Sequence, residues 1–267
     1  MRKLTETDWA VMSEMRAHVE RQEFEQALDA VVTVECHTAD PRELATILLN
    51  KAQCCRVLGK FDEAHAACDR ALDRSKDNDE DTVDGWIVKT DILIGERRWS
   101  DALSVIESSL RCYPELERAQ QLLRKAELLG NLSKHAEVIS VLRDLHEDSD
   151  FYEHQIAWIH HSLGVSYGET GEWDNAFQHL LKAECQHLPE VHRANNSLWL
   201  AHAAARQRDF LSAKAHLLNA LAEAKHSNVD LWTDVYESLA NVSRELGDEK
   251  EAARYGKLWK TSKENKT

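Results

Sequence analysis

The chain has 267 residues, 43% of them hydrophobic and 30% charged, and a formal net charge of −14. This composition excludes a disordered or collagen-like chain, and its 9 glycines and 3 prolines disfavour sandwiches and barrels, which need many turn residues. The excess of acidic residues argues against nucleic-acid binding, because phosphate contacts need clustered lysine and arginine.

The start of the chain shows no apolar leader segment, and no stretch approaches the length of a membrane-spanning helix. None of the 6 cysteines forms a C-x-x-C pair. We therefore expect a cytoplasmic protein with free thiols and no membrane association.

A helix–turn–helix pattern recurs along the chain. In its clearest copy, Leu163 and Tyr167 follow helical spacing, Gly171 interrupts, and a second helical pattern begins at Trp173. The same order recurs around a small residue of each second helix, spaced by 34 to 40 residues: Ala27, Ala64, Ala102, Ala136, Ala176, Ala213 and Ala252.

Each part of the pattern has a physical reason. The alanine lets two helices approach closely, the aromatic residue three positions earlier wedges against the neighbouring repeat, and glycine suits the left-handed turn. The fourth copy departs from the pattern, with Gly130 opening its turn and Leu132 or Ser133 at the aromatic position. The seventh has Glu249 there, and Gly256 where a large apolar residue is usual. Pro41, Pro114 and Pro189 fall between repeats.

These residues resemble the tetratricopeptide repeat family. The resemblance implies an all-α, right-handed superhelical solenoid of antiparallel helix pairs, whose first helices line a concave groove. It also implies that residues 1–267 form a single array of about seven repeats, near 8–41, 45–78, 83–116, 116–150, 157–190, 194–227 and 233–266.

No sequence motif points to catalysis. The chain lacks a phosphate-binding loop, a nucleophile elbow and an H-E-x-x-H motif. His160 and His161 are adjacent and so point to different sides of a helix. We predict no enzyme activity, no metal and no cofactor. Cys55 and Cys68 occupy packing positions, whereas Cys54 is a candidate for a redox role.

Candidate binding residues lie on first helices. Trp99 and Trp173 are predicted to be structural wedges. Trp158 and Trp199 occupy groove-facing positions, although packing against an adjacent helix is an open alternative. The predicted peptide-binding set is Trp158, His161, Asn195, Trp199 and His202, with Arg124 from the fourth repeat.

Some members of the family dock acidic C-terminal tails through a clamp of lysine, asparagine and arginine. Here Asn50 is an isolated match, and Asp84 stands where a cation would be needed. This difference disfavours a co-chaperone role of that type.

The leading hypothesis is a non-enzymatic scaffold that binds a peptide or protein segment in the groove. The alternatives are a peptide-sensing regulatory protein and a dedicated secretion or assembly chaperone. A basic strip ends the chain, and such cations suit a helix C-terminus. It consists of Arg254, Lys257, Lys260, Lys263 and Lys266. With Arg2 and Lys3 it charges both ends of the array, which favours a monomer.

Overall fold

The computed structural model describes residues 5–35, 41–74, 80–113, 115–145, 151–186, 188–227 and 231–264. Within these ranges the chain forms fourteen α-helices, one 3₁₀ turn (Leu110–Cys112) and no strand. The helices are α1 Glu6–Glu20, α2 Phe24–Glu35, α3 Pro41–Val57, α4 Phe61–Leu72, α5 Glu80–Gly95, α6 Trp99–Ser109, α7 Glu115–Asn131, α8 His135–Leu145, α9 Glu153–Glu169, α10 Trp173–Cys185, α11 Glu190–Arg206, α12 Phe210–Ser227, α13 Trp232–Glu245 and α14 Glu249–Glu264.

Within α1–α7 and within α8–α14, consecutive helices pack as antiparallel neighbours. Most odd-numbered helices pack on the even-numbered helix that follows them, and each even helix also meets the next odd one, as α2 meets α3 and α10 meets α11. The predicted all-α solenoid of helix pairs is confirmed. None of the described helices is long and apolar enough to cross a membrane.

The chain divides into two compact units, Met1–Leu132 and Ser133–Thr267. The first unit, with α1–α7, has a core that includes Met15, Leu48 and Ile92, and the second has one around Leu217 and Leu239. A single array over residues 1–267 remains a prediction.

The predicted small residues of the second helices are buried in six of the seven pairs. Ala27, Ala64, Ala102, Ala176 and Ala213 are 0% exposed and Ala252 is 2% exposed. The prediction for the fourth pair was wrong. Ala136 is exposed, and Val138, 2% exposed, takes the buried place two residues later.

The turns explain this shift. Each pair turns through one residue with φ between 57° and 85°, five positions before the buried residue. These residues are Gln22, Gly59, Arg97, Ser133, Gly171, Arg208 and Gly247. They are spaced by 36 to 39 residues, more evenly than the alanines. The fourth turn is therefore at Ser133, whereas Gly130, predicted to open it, lies inside α7.

Hydrogen bonds close six of these turns, all but the one at Ser133, in the Schellman pattern. At the second turn the Lys60 amide donates to the Cys55 carbonyl (2.8 Å) and the Gly59 amide to the Arg56 carbonyl (3.1 Å). At the fifth, the Glu172 amide donates to the Tyr167 carbonyl (2.8 Å). Carbonyls at the end of the first helix are thus satisfied in these six pairs.

The aromatic wedge and the proline predictions also have structural counterparts. A Cβ placed on Gly95 would lie 3.0 Å from Cε1 of Phe61, so the ring of Phe61 packs directly against α5. Pro41 begins α3 and Pro189 caps α11, while Pro114 lies outside the described residues.

Three of the described cysteines belong to the core of the first unit. Cys54, Cys55 and Cys68 are free and at most 2% exposed. Burial raises the pKa of the Cys54 thiol to about 11 and that of Cys68 to about 12. The packing explanation therefore also suits Cys54, and its alternative redox role is disfavoured, because a buried, protonated thiol is a poor nucleophile.

Candidate functional site

The helix α9 has one side packed on α10 and the opposite side open. His160, Gly164 and Tyr167 face α10, where His160 Nδ1 lies 3.0 Å from Nδ1 of His179. Because a helix turns 100° per residue, side chains spaced by three and four share one face. The open stripe of α9 consists of Gln155, Trp158, Ser162, Val165 and Glu169, all at least partly exposed.

The helix α11 has the same arrangement. Ser197, Ala201 and Ala204 are buried, and the two alanines share a cluster with Ala213 and Leu217 of α12. The side of α11 away from these residues carries a second partly exposed stripe, which consists of His192, Asn195, Trp199, His202 and Arg206.

A buried hydrogen-bond network joins α9 to α11. Asn196 donates from Nδ2 to the Leu180 carbonyl (3.1 Å) and lies with Oδ1 3.0 Å from Nδ1 of His161. Because Oδ1 only accepts, His161 is the Nδ1–H donor. Burial lowers the pKa of His161 to about 4, against the opposing effect of this hydrogen bond.

His161 was predicted to line the binding surface. Its side chain is 5% exposed, so it lies beneath the surface and holds α9 and α11 together rather than facing solvent.

Trp199 contacts the preceding helix pair and remains partly exposed. Its ring stacks on Trp173 with centroids 6.4 Å apart. A Cβ placed on Gly168 would lie only 2.8 Å from Cζ3 of Trp199, so only glycine admits the indole there. The guanidinium of Arg206 sits 5.1 Å above the Trp173 ring.

His202 stands next to Trp199 on the same stripe. The two rings meet edge to face, 5.7 Å apart, and His202 Nε2 lies 3.2 Å from the Ser238 hydroxyl of α13. Burial lowers the pKa of His202, opposed by Asp234 and reinforced by Arg206. The ring is therefore neutral at pH 7 and can donate or accept a hydrogen bond.

The structure brings some of the predicted residues together. Trp199 and His202 touch, and Asn195 shares their stripe, while Trp158 lies on the open stripe of the adjacent helix. Arg124 belongs to the first unit, on α7, where its Nη1 forms an ion pair with Asp91 (2.9 Å).

Several members of the two stripes were not predicted from the sequence: Gln155, Ser162, Val165, Glu169, His192 and Arg206. The available signal was that successive members of each stripe are three or four residues apart. Among the described residues no group of three histidine, cysteine or acidic side chains could hold a metal ion.

Solved structures share this fold. The chain is similar to the C-terminal part of a TPR repeat-containing protein from Cytophaga hutchinsonii, with 16% identity, 93% of each chain covered and a TM-score of 0.68. It is also similar to a signal transduction ATPase with a tetratricopeptide repeat sensor from Pyrococcus horikoshii, with 14% identity, 96% of this chain and 42% of that chain covered, and a TM-score of 0.78.

A third similar structure is YrrB, described as a TPR protein with an unusual peptide-binding site. It shares 16% identity over 67% of this chain and 86% of that chain, with a TM-score of 0.53. No protein-family model and no curated protein matches the chain. At these identities the likeness shows the fold, which is that of tetratricopeptide repeat proteins.

Proposed function

We propose that the chain is a non-enzymatic interaction scaffold that binds a peptide or a segment of another protein on the open sides of α9 and α11. One observation carries the proposal: two adjacent helices present partly exposed stripes that hold Trp158, Asn195, Trp199 and His202. Large aromatic side chains dominate many binding surfaces. The amide and the neutral imidazole can pair with the backbone of an extended segment.

The residues beneath these side chains are held in place by contacts within the protein. The hydrogen bonds of Asn196 to His161 and Leu180 join three helices, and Trp173 supports Trp199 from below. A surface whose rotamers are already fixed loses less conformational entropy on binding. This rigidity supports a binding role for the stripes.

The similar structures support the proposal by analogy of fold alone. YrrB carries a peptide-binding site by its description, and the archaeal ATPase carries its repeats as a sensor. Arg124 lies in the first unit, where its Nη1 is paired with Asp91, and it is not among the residues of the two stripes. The proposal therefore rests on the residues of α9 and α11.

We further propose a cytoplasmic, monomeric protein that binds neither nucleic acid nor metal. The free, buried thiols of Cys54, Cys55 and Cys68 support a reducing compartment. The net charge of −14 opposes binding to phosphate backbones.

A photo-crosslinking experiment tests the surface. A benzophenone amino acid at Val165, on the open stripe of α9, is expected to cross-link a discrete protein in lysate. The same probe at Leu211, 72% exposed on α12, is the matched control. The cross-linked segment is then synthesised as a peptide, and its affinity for the full chain is measured.

Two double variants follow. Trp158→Ala with Asn195→Ala, and Trp199→Ala with His202→Ala, should each weaken that peptide at least about tenfold. Leu211→Ala with Leu218→Ala, two exposed leucines of α12, should leave its affinity unchanged. Because Trp199 also packs on Trp173, helicity of each variant is checked by circular dichroism. Normal affinity of a folded Trp158 and Asn195 variant would overturn the proposal.

A further inference from the structure

A hollow of about 460 Å³ opens on α14, the last helix that the structure describes. Its lining carries three cations, Arg244 of α13 and Lys257 and Lys260 of α14, against one acid, Glu249. The other lining residues, all from α14, are Ala252, Ala253, Gly256 and Trp259. A Cβ placed on Gly256 would meet no atom within 4 Å. Among the described helices, only α13 packs extensively against α14.

The junctions between earlier helix pairs show which contacts an even-numbered helix makes with the next odd-numbered helix. In the first unit, each junction from an even helix to the next odd helix contains an ion pair with the acid on the even helix and lysine on the odd one. The pairs are Glu35 with Lys51 (2.7 Å), Asp69 with Lys89 (2.7 Å) and Glu107 with Lys125 (2.9 Å).

The corresponding positions of α14 are found by counting residues from the buried alanine of each even-numbered helix. Glu35 lies eight residues after its alanine, whereas Asp69 and Glu107 lie five residues after theirs. Counted from Ala252, the fifth residue is Lys257 and the eighth is Lys260. The helix α14 therefore carries cations at the two positions where the junctions of the first unit carry anions.

The other even-numbered helices are not shown to carry cations at both positions. At the fifth position α10 has Leu181 and α12 has Leu218, while α8 has Arg143. At the eighth position α10 has Glu184 and α12 has Leu221. Among the even-numbered helices for which the structure describes both positions, only α14 has a cation at each of them.

At the junction of α4 and α5, a side chain occupies the position that is hollow in α14. Four residues after its alanine, Cys68 of α4 reaches α5, where its thiol donates to the Gly85 carbonyl (3.5 Å). In α14 this position is Gly256, which leaves the space empty. A helix that docks here must therefore supply the bulk that α14 lacks.

We propose that α14 binds an acidic amphipathic helix of another protein. Its carboxylates pair with Lys257 and Lys260, and a large apolar side chain fills the hollow above Gly256. Helices built like α3, α5 and α7 bring lysine to these positions and are repelled, so the surface also discriminates against the lysine-bearing helices of this chain. This site is separate from the stripes of α9 and α11.

The helix α5 supplies the probe for a test. Two fluorescent peptides of residues Glu80–Gly95, cross-linked to stabilise the helix, differ only by Lys89→Glu. The full chain is titrated with each, and anisotropy is measured. The Lys89→Glu peptide is expected to bind at least about fivefold more tightly than its parent.

Charge reversal of the surface should reverse this order. With Lys257→Glu and Lys260→Glu, the parent peptide is expected to bind more tightly than its acidic form. Lys250→Glu with Arg254→Glu changes the same charge on exposed residues of α14 outside the hollow and should preserve the wild-type order. The single change Lys257→Glu should reduce the difference in affinity between the Lys89→Glu peptide and its parent. Circular dichroism verifies the fold of each variant.

Three results would overturn the proposal. They are failure of both peptides to bind at about 1 mM, equal affinities for the two peptides, and an order that Lys257→Glu with Lys260→Glu does not change. Binding of duplex DNA or phosphatidylserine vesicles that this variant abolishes, with no peptide preference, would assign the basic surface to those ligands instead.

Discussion

Ala136 and Ala176 look equivalent in the sequence but occupy different environments. Ala176 is 0% exposed and backs onto the first helix of its pair, where Leu180 already crowds Gly164. Ala136 is exposed, and Val138 fills the buried place. The difference makes the two alanines a matched pair for testing the alignment of the repeats.

Enlarging Ala176 should destabilise the protein, whereas the same change at Ala136 should not. Ala176→Leu forces a larger side chain into a filled helix contact, and we expect a loss of about 1–3 kcal/mol in unfolding free energy. Ala136→Leu should change it by less than about 0.5 kcal/mol. Urea denaturation of the two variants measures both, and equal losses would contradict the assignment of Val138.

The buried His161 should make stability depend on pH. Its pKa is about 4 in the folded protein and about 6.5 in the unfolded chain. Between these values the unfolded state binds more protons, so the unfolding free energy falls as pH falls. This group alone should remove about 2 kcal/mol between pH 7.5 and pH 5, as measured by urea denaturation at each pH.

The control variant is His161→Gln, which removes the titrating ring and keeps a donor for Asn196. Its unfolding free energy should fall less steeply over the same pH interval. An identical pH dependence in the two proteins would assign the effect to other groups.

At the scale of the helix pair, four of the seven turns place a residue other than glycine in the left-handed region. Gln22, Arg97, Ser133 and Arg208 have φ between 57° and 63°. A side chain at such φ clashes with the backbone. Three of these turns, at Gln22, Arg97 and Arg208, are held by Schellman hydrogen bonds and by packing of the two helices rather than by local preference.

Replacing such a residue with glycine should therefore stabilise the protein. Arg208→Gly removes the steric penalty and is expected to raise the unfolding free energy by up to about 1 kcal/mol. The reverse change, Gly171→Ala at φ 85°, should lower it by about 1 kcal/mol. Thermal and urea unfolding measure both. A loss of stability in Arg208→Gly would show that the arginine makes a contact that outweighs the strain.

The sequence predicts the pairs well because their periodicity is local. Helical spacing, turn position and a small buried residue recur in each copy, and the single error came from trusting Gly130 and Ala136 over the evenly spaced turns. Side chains between pairs were harder to predict. His161 is buried against Asn196, and Arg124 is ion-paired with Asp91. Each partner belongs to another helix, and no fixed spacing in the sequence links it to the predicted residue.

At the scale of the whole molecule, stability should not depend on a disulfide or a bound metal. The described cysteines are free and the described residues offer no group of three metal ligands. We expect neither a chelator nor a reductant to shift the thermal midpoint by more than about one degree, since only a bound ligand or a bridge could make it respond. Differential scanning calorimetry tests this, and a drop of several degrees with chelator would point to a histidine-bound ion.

The helix contacts also bear on how the chain is made at the ribosome. Each substantial contact joins helices one or two places apart in chain order, and one repeat occupies 36 to 39 residues. At about 5–20 residues per second, one repeat takes roughly 2–8 seconds to synthesise. Each helix can therefore dock on its neighbours while translation continues, so nascent chains halted at successive turns should gain protease resistance one repeat at a time.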